Sequence, residues 1–278
     1  MDFVNKRITV FGDSIGKGIT TDGGRIEVLP TYAIKLFENE YGVKIENLSA
    51  FGNSLKRFCE RGKIDKYIAS LDKTVKNVVV LELGGNDADF DWQGVAADPG
   101  KEHGPKTDVD EFSVLYAETL GKLLDAGVEV VPCTLPPVCS DRYFNNVIKK
   151  LADGNRVLEF FKGDTGTIYR HQEMFNNEVI KNSFRNGLRV IGNKAFYGCG
   201  SLTDINVPDA SNLEQIGDHA FYKCTNLKGI TIPISVKFIG DYAFADCRFW
   251  RNVEMCNSGD APSASHLTEL GWNVFENC

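Results

Sequence analysis

The strongest chemical signal in the sequence is a serine close to its start. Ser14 lies in the run Phe11-Gly12-Asp13-Ser14, directly after a short apolar stretch that predicts a β-strand. Ligands of parallel sheets bind at the ends of such strands, so the Ser14 hydroxyl is a candidate nucleophile for acyl transfer. The alternative interpretation is a serine that caps a following helix, which is the commoner role of such sequences.

Two further predicted strand ends carry groups that could bind an oxyanion. Gly52 follows the second predicted strand, and Asn86 follows the third in the run Gly84-Gly85-Asn86-Asp87. A glycine lets a backbone N–H approach an anion closely, and an amide side chain can donate to the same anion. Each also has a plainer interpretation, a turn glycine for Gly52 and an Asx turn for Asn86. Three such groups at successive strand ends predict one common site.

The elements that must position these groups follow from the apolar pattern of the first 181 residues. Short apolar runs predict strands at residues 8–11, 43–48, 78–83 and 128–132, and amphipathic stretches predict helices at 64–71 and 112–124. This alternation is typical of βαβ units around a parallel sheet. The predicted fold class is a three-layer α/β domain.

The periodicity changes after residue 188. The segment Ile191–Cys199 returns as Ile216–Cys224 and Ile239–Cys247, at intervals of 25 and 23 residues. A weaker copy, Leu270–Cys278, follows after 31 residues, and we expect the array to end inside a repeat. Such periods predict a short solenoid.

The cysteines fit the repeats better than a disulfide framework. Four of the eight occupy one equivalent repeat position, and no C-x-x-C pair occurs. Because a buried free cysteine behaves as a small apolar residue, this spacing predicts a ladder in the repeat core. The four are Cys199, Cys224, Cys247 and Cys278.

Both halves resemble known families. Gly12-Asp13-Ser14-Ile15, Gly52 and Gly85-Asn86-Asp87 match three blocks of the SGNH (GDSL-like) hydrolases over residues 7–181. The repeats read I-G-x-x-A-F-x-x-C, then L-x-x-I-x-I-P, and resemble BspA-like leucine-rich repeats. The resemblance implies a flavodoxin-like α/β/α hydrolase domain at residues 1–182 and a repeat module at 188–278.

The same resemblance implies an activity and its residues. Ser14 would be the nucleophile, and the N–H groups of Ser14 and Gly52 with the Asn86 side chain would form the oxyanion hole. Substrates of the family are acyl esters of small molecules, lipids or carbohydrates, and no cofactor or metal is implied. The repeats imply a protein or glycan partner.

One part of the family's site is missing from the sequence. The base should come from an Asp-x-x-His motif near the end of the domain, and none of the four histidines follows an aspartate by three residues. They are His103, His171, His219 and His266. The first repeat stands where the last strand and this motif are expected, which indicates a fusion that lost them.

Three alternatives follow from this loss. His171 or His103 could replace the missing base, or the domain could be a catalytically impaired binding protein. The exposed sheet edge would need cover, and we expect Leu188–Ile191 to dock there.

The remaining composition excludes several classes of partner. A net charge of −7 without a basic run argues against nucleic acid. No apolar run reaches the ~18 residues that span a bilayer, and no signal peptide is evident. These features favour a cytoplasmic protein, whereas repeats of this type suggest the cell surface.

Overall fold

The computed structural model describes residues 5–22, 25–30, 32–135, 138–200, 202–203, 205, 207, 212–248, 252–255 and 267–278. The chain forms two compact units, Met1–Val179 and Ile180–Cys278. Among the described residues no helix combines the length and apolarity needed to cross a membrane.

The first unit is built on a parallel sheet that confirms the predicted α/β fold. Its strands, in the order β4-β1-β5-β6, are β1 (Lys6–Gly12), β4 (Ile45–Asn47), β5 (Lys76–Glu82) and β6 (Glu129–Pro132). A separate antiparallel hairpin, β2 (Ile19–Asp22) and β3 (Arg25–Val28), follows β1 and has no counterpart in the sequence prediction.

Helices follow these strands along the chain, and several of them share one apolar core with the sheet. They are α1 (Ala33–Tyr41), α2 (Leu55–Glu60), α3 (Lys63–Ala69), α4 (Trp92–Ala97), α5 (Val109–Asp125), α6 (Ser140–Tyr143), α7 (Lys149–Leu151), α8 (Gly154–Phe160) and α9 (Gly166–Arg185). A π-helical turn, Phe144–Ile148, joins α6 to α7.

Helix α5 shows why an apolar pattern in the sequence predicts a helix. Its start is capped by Asp108, whose side chain accepts the N–H groups of Asp110 and Glu111. Its buried face then repeats at intervals of three or four residues and packs in one core with Val79 and Leu81 of β5. The buried residues of this face are Phe112, Tyr116, Thr119, Leu120 and Leu123.

The second unit repeats one short strand. Strands β7 (Val190–Ile191), β8 (Gln215–Ile216), β10 (Phe238–Ile239) and β12 (Glu269–Leu270) form a parallel ladder in the order β12-β10-β8-β7. A second ladder pairs β9 (Gly229–Ile232) with β11 (Asn252–Met255). That the repeats close into a continuous solenoid stays a prediction.

Side chains at equivalent repeat positions stack in register. The rings of Phe196, Phe221, Phe244 and Phe275 lie nearly parallel, with centroids 4.8, 5.1 and 5.5 Å apart. The predicted cysteine ladder is confirmed for Cys224 and Cys247, which are fully buried free thiols. Each donates its S–H to the carbonyl of the stacked phenylalanine of the preceding repeat, at 3.1 and 3.2 Å.

The expected docking of Leu188–Ile191 on the sheet of the first unit is wrong. Val190 and Ile191 pair instead with Gln215 and Ile216 of the next repeat. The Ile191 carbonyl accepts the N–H of Gly217 at 2.8 Å, and the Ile191 side chain is buried in the repeat core. This strand therefore makes its backbone hydrogen bonds and its apolar contacts within the second unit.

Candidate active site

Ser14 lies in a tight turn between β1 and the hairpin. The turn is closed by backbone hydrogen bonds from Gly18 to Ile15 and from Ile19 to Ser14, both 2.8 Å long. No helix begins here, so the helix-cap interpretation of Ser14 is excluded. Ser14 is partly exposed, and neither its hydroxyl nor its N–H has a hydrogen-bond partner among the described residues.

Gly52 lies in the loop after β4, which runs on beside β1. The N–H of Ala50 and the Asn53 side chain both donate to the Gly12 carbonyl, at 3.3 and 3.1 Å. Gly52 has a φ of 69°, the left-handed region that favours glycine, and a Cβ there would meet nothing within 4 Å. Its N–H has no partner within the described ranges, so it is available to a ligand.

Asn86 links the three predicted strand ends. Its side-chain N–H groups donate to the Asn53 carbonyl at 2.8 Å and to the Asp13 carboxylate at 3.5 Å. Because Asn53 adjoins Gly52 and Asp13 adjoins Ser14, one amide ties the loops after β4 and β1 to the end of β5. The structure thus brings the three predicted site residues to one edge of the sheet.

Asp87, beside Asn86, anchors a neighbouring helix. Its carboxylate accepts the N–H groups of Leu55 and Lys56 at the start of α2, at 2.7 and 3.2 Å. It also accepts the Thr107 hydroxyl at 2.8 Å. Burial raises the pKa of Asp87, while these hydrogen bonds oppose the rise.

Two buried carboxyl groups below Ser14 were missed by sequence reasoning. The Asp13 side chain accepts the N–H of Ile15 at 2.8 Å, and burial raises its pKa. Burial, and secondly the charge of Asp13, raise the pKa of Glu82 to about 8. A glutamate inside the apolar run Val78–Leu83 was the available signal, because charged residues rarely lie in buried strands.

The described histidines do not supply a base to Ser14. His171, on α9, packs its ring edge-on against Phe90 at 4.8 Å, and burial lowers its pKa. The His103 Nε2 atom lies 2.8 Å from the Asp98 carbonyl. His219 stacks on Tyr242 in the second unit, and His266 lies outside the described residues. In the described part of the chain no three His, Cys, Asp or Glu side chains are grouped to hold a metal ion.

Comparison with protein families identifies the repeats. Residues 170–278 match the model of the BspA type leucine rich repeat region, in six copies. The C-terminal repeats are thus similar to those of the BspA type. The resemblance seen in the sequence is confirmed for this part, and no curated protein matches the chain in sequence.

Several solved structures are similar to the chain at low identity. A lipase/acylhydrolase from Enterococcus faecalis is 18% identical, with 59% of this chain and 73% of that chain covered and a TM-score of 0.34. An acetyl xylan esterase from Geobacillus stearothermophilus is 16% identical, with 66% and 73% covered and a TM-score of 0.40. An alpha/beta hydrolase from the metagenome of Lake Arreo, Spain, is 12% identical, with 66% and 74% covered and a TM-score of 0.41. These likenesses are distant, and the function proposed below is supported by the geometry of this chain.

Proposed function

We propose that the chain is a serine ester hydrolase of the SGNH type, with Ser14 as its nucleophile. One observation carries the proposal: the Ser14 hydroxyl and the N–H groups of Ser14 and Gly52 have no partner among the described residues, at strand ends tied together by Asn86. Ser14 and Gly52 are both partly exposed, so a ligand can reach their N–H groups, and two such donors at strand ends joined by one amide favour a site for a developing oxyanion.

The roles follow from these positions. The Ser14 oxygen bonds to the ester carbonyl carbon, and the carbonyl oxygen takes the negative charge. The two backbone N–H groups stabilise this charge, and Asn86 joins them by giving up its longer contact to Asp13. The serine proton passes to water, the ester C–O bond breaks, and the leaving alkoxide takes a proton back from water to become the alcohol. A second water then attacks the acyl carbon, the bond to the Ser14 oxygen breaks, and this oxygen regains a proton as the acid leaves. The substrate is an acyl ester of a small molecule, lipid or carbohydrate.

The rate should be modest. A serine hydroxyl without an adjacent base is a weak nucleophile. Serine hydrolases that lack triad members keep about 10³- to 10⁴-fold acceleration over water, from the oxyanion hole and binding. We expect this order of acceleration here.

Labelling and turnover test the proposal together. The wild-type chain should react with a fluorophosphonate at Ser14 and hydrolyse p-nitrophenyl acetate, and Ser14→Ala should lose both activities. Ser70→Ala is the matched control, because Ser70 is exposed and its hydroxyl donates to the Tyr67 carbonyl at 2.8 Å and accepts from Arg7 at 3.5 Å, with no contact to the Ser14 turn among the described residues. A folded wild-type chain that is unlabelled at every pH would overturn the proposal.

The positions of the described histidines favour a second function, which is binding without catalysis. Since none of the described imidazoles reaches Ser14, the domain could bind an ester without cleaving it while the repeats bind a protein or glycan. Calorimetry separates the two functions: the binding protein would hold p-nitrophenyl acetate equally well with and without Ser14 and release no p-nitrophenol.

A further inference from the structure

Glu82 contacts the Ser14 turn on both sides of the serine. It ends β5 and lies beside Gly12 in the parallel ladder. Its Oε2 atom accepts the N–H of Asp13 at 3.3 Å, and the backbone of Gly16 lies so near that a Cβ there would be 3.2 Å from the same atom. Asp13 precedes Ser14 and Gly16 follows it, so a single carboxyl group lies against both sides of the turn.

Two glycines make this close approach possible. A Cβ on Gly12 would lie 2.7 Å from Glu82 Oε2 and 2.6 Å from the Ser49 hydroxyl. On Gly16 the same distances would be 3.2 and 2.6 Å. Real Cβ atoms essentially never come within 3.0 Å of such atoms, so a larger residue at Gly12 would displace the Glu82 carboxyl group and the Ser49 hydroxyl, and one at Gly16 would displace the Ser49 hydroxyl. The turn is therefore shaped around Glu82 and Ser49.

The surroundings of Glu82 disfavour its charge. Its Oε1 atom and the Ser49 hydroxyl are both buried and have no hydrogen-bond partner in the part of the chain that the structure describes. The titratable groups that face it are the Asp13 carboxyl group from the β1 turn and the Cys133 thiol from the end of β6. Ser49, on the β4 side, is neutral, and no described lysine or arginine pairs with Glu82. A carboxyl group in such a place stays protonated well above its ordinary range.

We propose that neutral Glu82 is a positioning residue that holds the Ser14 turn in its reactive form, and that its ionisation lowers the reactivity of Ser14. The inference rests on the proposed role of Ser14. Acyl transfer places negative charge at the Ser14 N–H, and an ionised carboxylate behind the same turn repels that charge where water screens it poorly. Glu82 releases its proton to solvent and takes no part in bond making.

The pH profile of labelling tests the effect on Ser14. Glu82→Gln keeps an acceptor oxygen but cannot ionise. The fluorophosphonate rate constant of the wild type, divided by that of the variant, should fall about tenfold through a midpoint near 8, the pKa of Glu82. Glu129→Gln is the control, since Glu129 is exposed and pairs with Lys76. Its profile should match the wild type, and an equal profile in Glu82→Gln would overturn the inference.

A second measurement does not depend on chemistry at Ser14. In protein labelled with [¹⁵N]glycine, the amide signal of Gly16 should shift with a midpoint near 8 in the wild type and in Ser14→Ala, and not in Glu82→Gln. Titration of Gly16 without any labelling of Ser14 would confirm the hold of Glu82 on the turn and refute the proposed hydrolase. Absence of titration would refute the role of Glu82, whatever the labelling shows.

Discussion

At the scale of single residues, the two histidines considered as bases have contacts of their own and none with Ser14 among the described residues. The Ser14 hydroxyl is partly exposed in the turn after β1, whereas the ring of His171 packs on Phe90 and the ring of His103 is held by the Asp98 carbonyl. The glycine and amide positions followed from the sequence because strand ends of a parallel sheet share an edge. The role of Glu82 did not follow from the sequence, because the apolar run around it predicts a buried strand and charged side chains rarely lie in such strands.

The prediction at this scale concerns the two histidines that could replace the missing base. We expect His171→Ala and His103→Ala to leave the fluorophosphonate labelling rate of Ser14 within about twofold of the wild type, because neither ring contacts the hydroxyl. Loss of a true general base lowers rates by about 10²- to 10⁴-fold. A drop of that size in either variant would identify the histidine as the base.

At the scale of elements, apolar periodicity predicted those strands and helices that have a strong apolar pattern. Strand β5 and helix α5 carry strong patterns and formed as expected. The β2–β3 hairpin was missed because its two strands have four residues each, and the sequences ITTD and RIEV are too short and too polar to form a clear apolar pattern. The partner of Val190 and Ile191 was also missed, since a two-residue strand is placed by its long-range pairing.

The start of helix α2 supplies the element-scale prediction. Asp87→Ala removes the acceptor of two backbone N–H groups and the Thr107 hydroxyl. Because buried donors left unbonded cost about 1–3 kcal/mol each, we expect the free energy of unfolding to fall by about 3 kcal/mol. Asp108→Ala, at the exposed cap of α5, should lower it by about 1 kcal/mol. Urea unfolding measures both, and equal losses would contradict a special role for Asp87.

At the scale of the whole molecule, the buried carboxyl groups set how stability depends on pH. The folded pKa of Glu82 is about 8, far above the ordinary value of 4.5, and those of Asp13 and Asp87 are also raised. Between the ordinary and the folded pKa the folded chain binds more protons than the unfolded chain. The stability that Glu82 gives is therefore complete below about pH 4.5 and is lost as the pH rises through 8.

Unfolding at several pH values checks this sign. We expect the urea midpoint of the first unit to fall between about pH 5 and pH 8, and Glu82→Gln to flatten that fall. Side-chain hydrogen bonds from Lys35 and Thr74 lower the pKa values of the partly buried Glu38 and the exposed Asp72, so these two groups act only in more acidic solution. A wild-type midpoint that rises over this range would show that Glu82 is ionised in the folded chain.

The unequal spacing of the repeats has a consequence for how such a chain can lengthen. The interval grows from 23 residues to 31 before the last copy, yet Ile239 pairs with Leu270 as it does with Ile216. By loop-closure entropy the added length costs only about 0.3 kcal/mol. Register is thus fixed by the short repeated strands, and the sequence that joins β11 to β12 is open to insertion. New segments, natural or engineered, can enter there while the ladder on either side keeps its pairing.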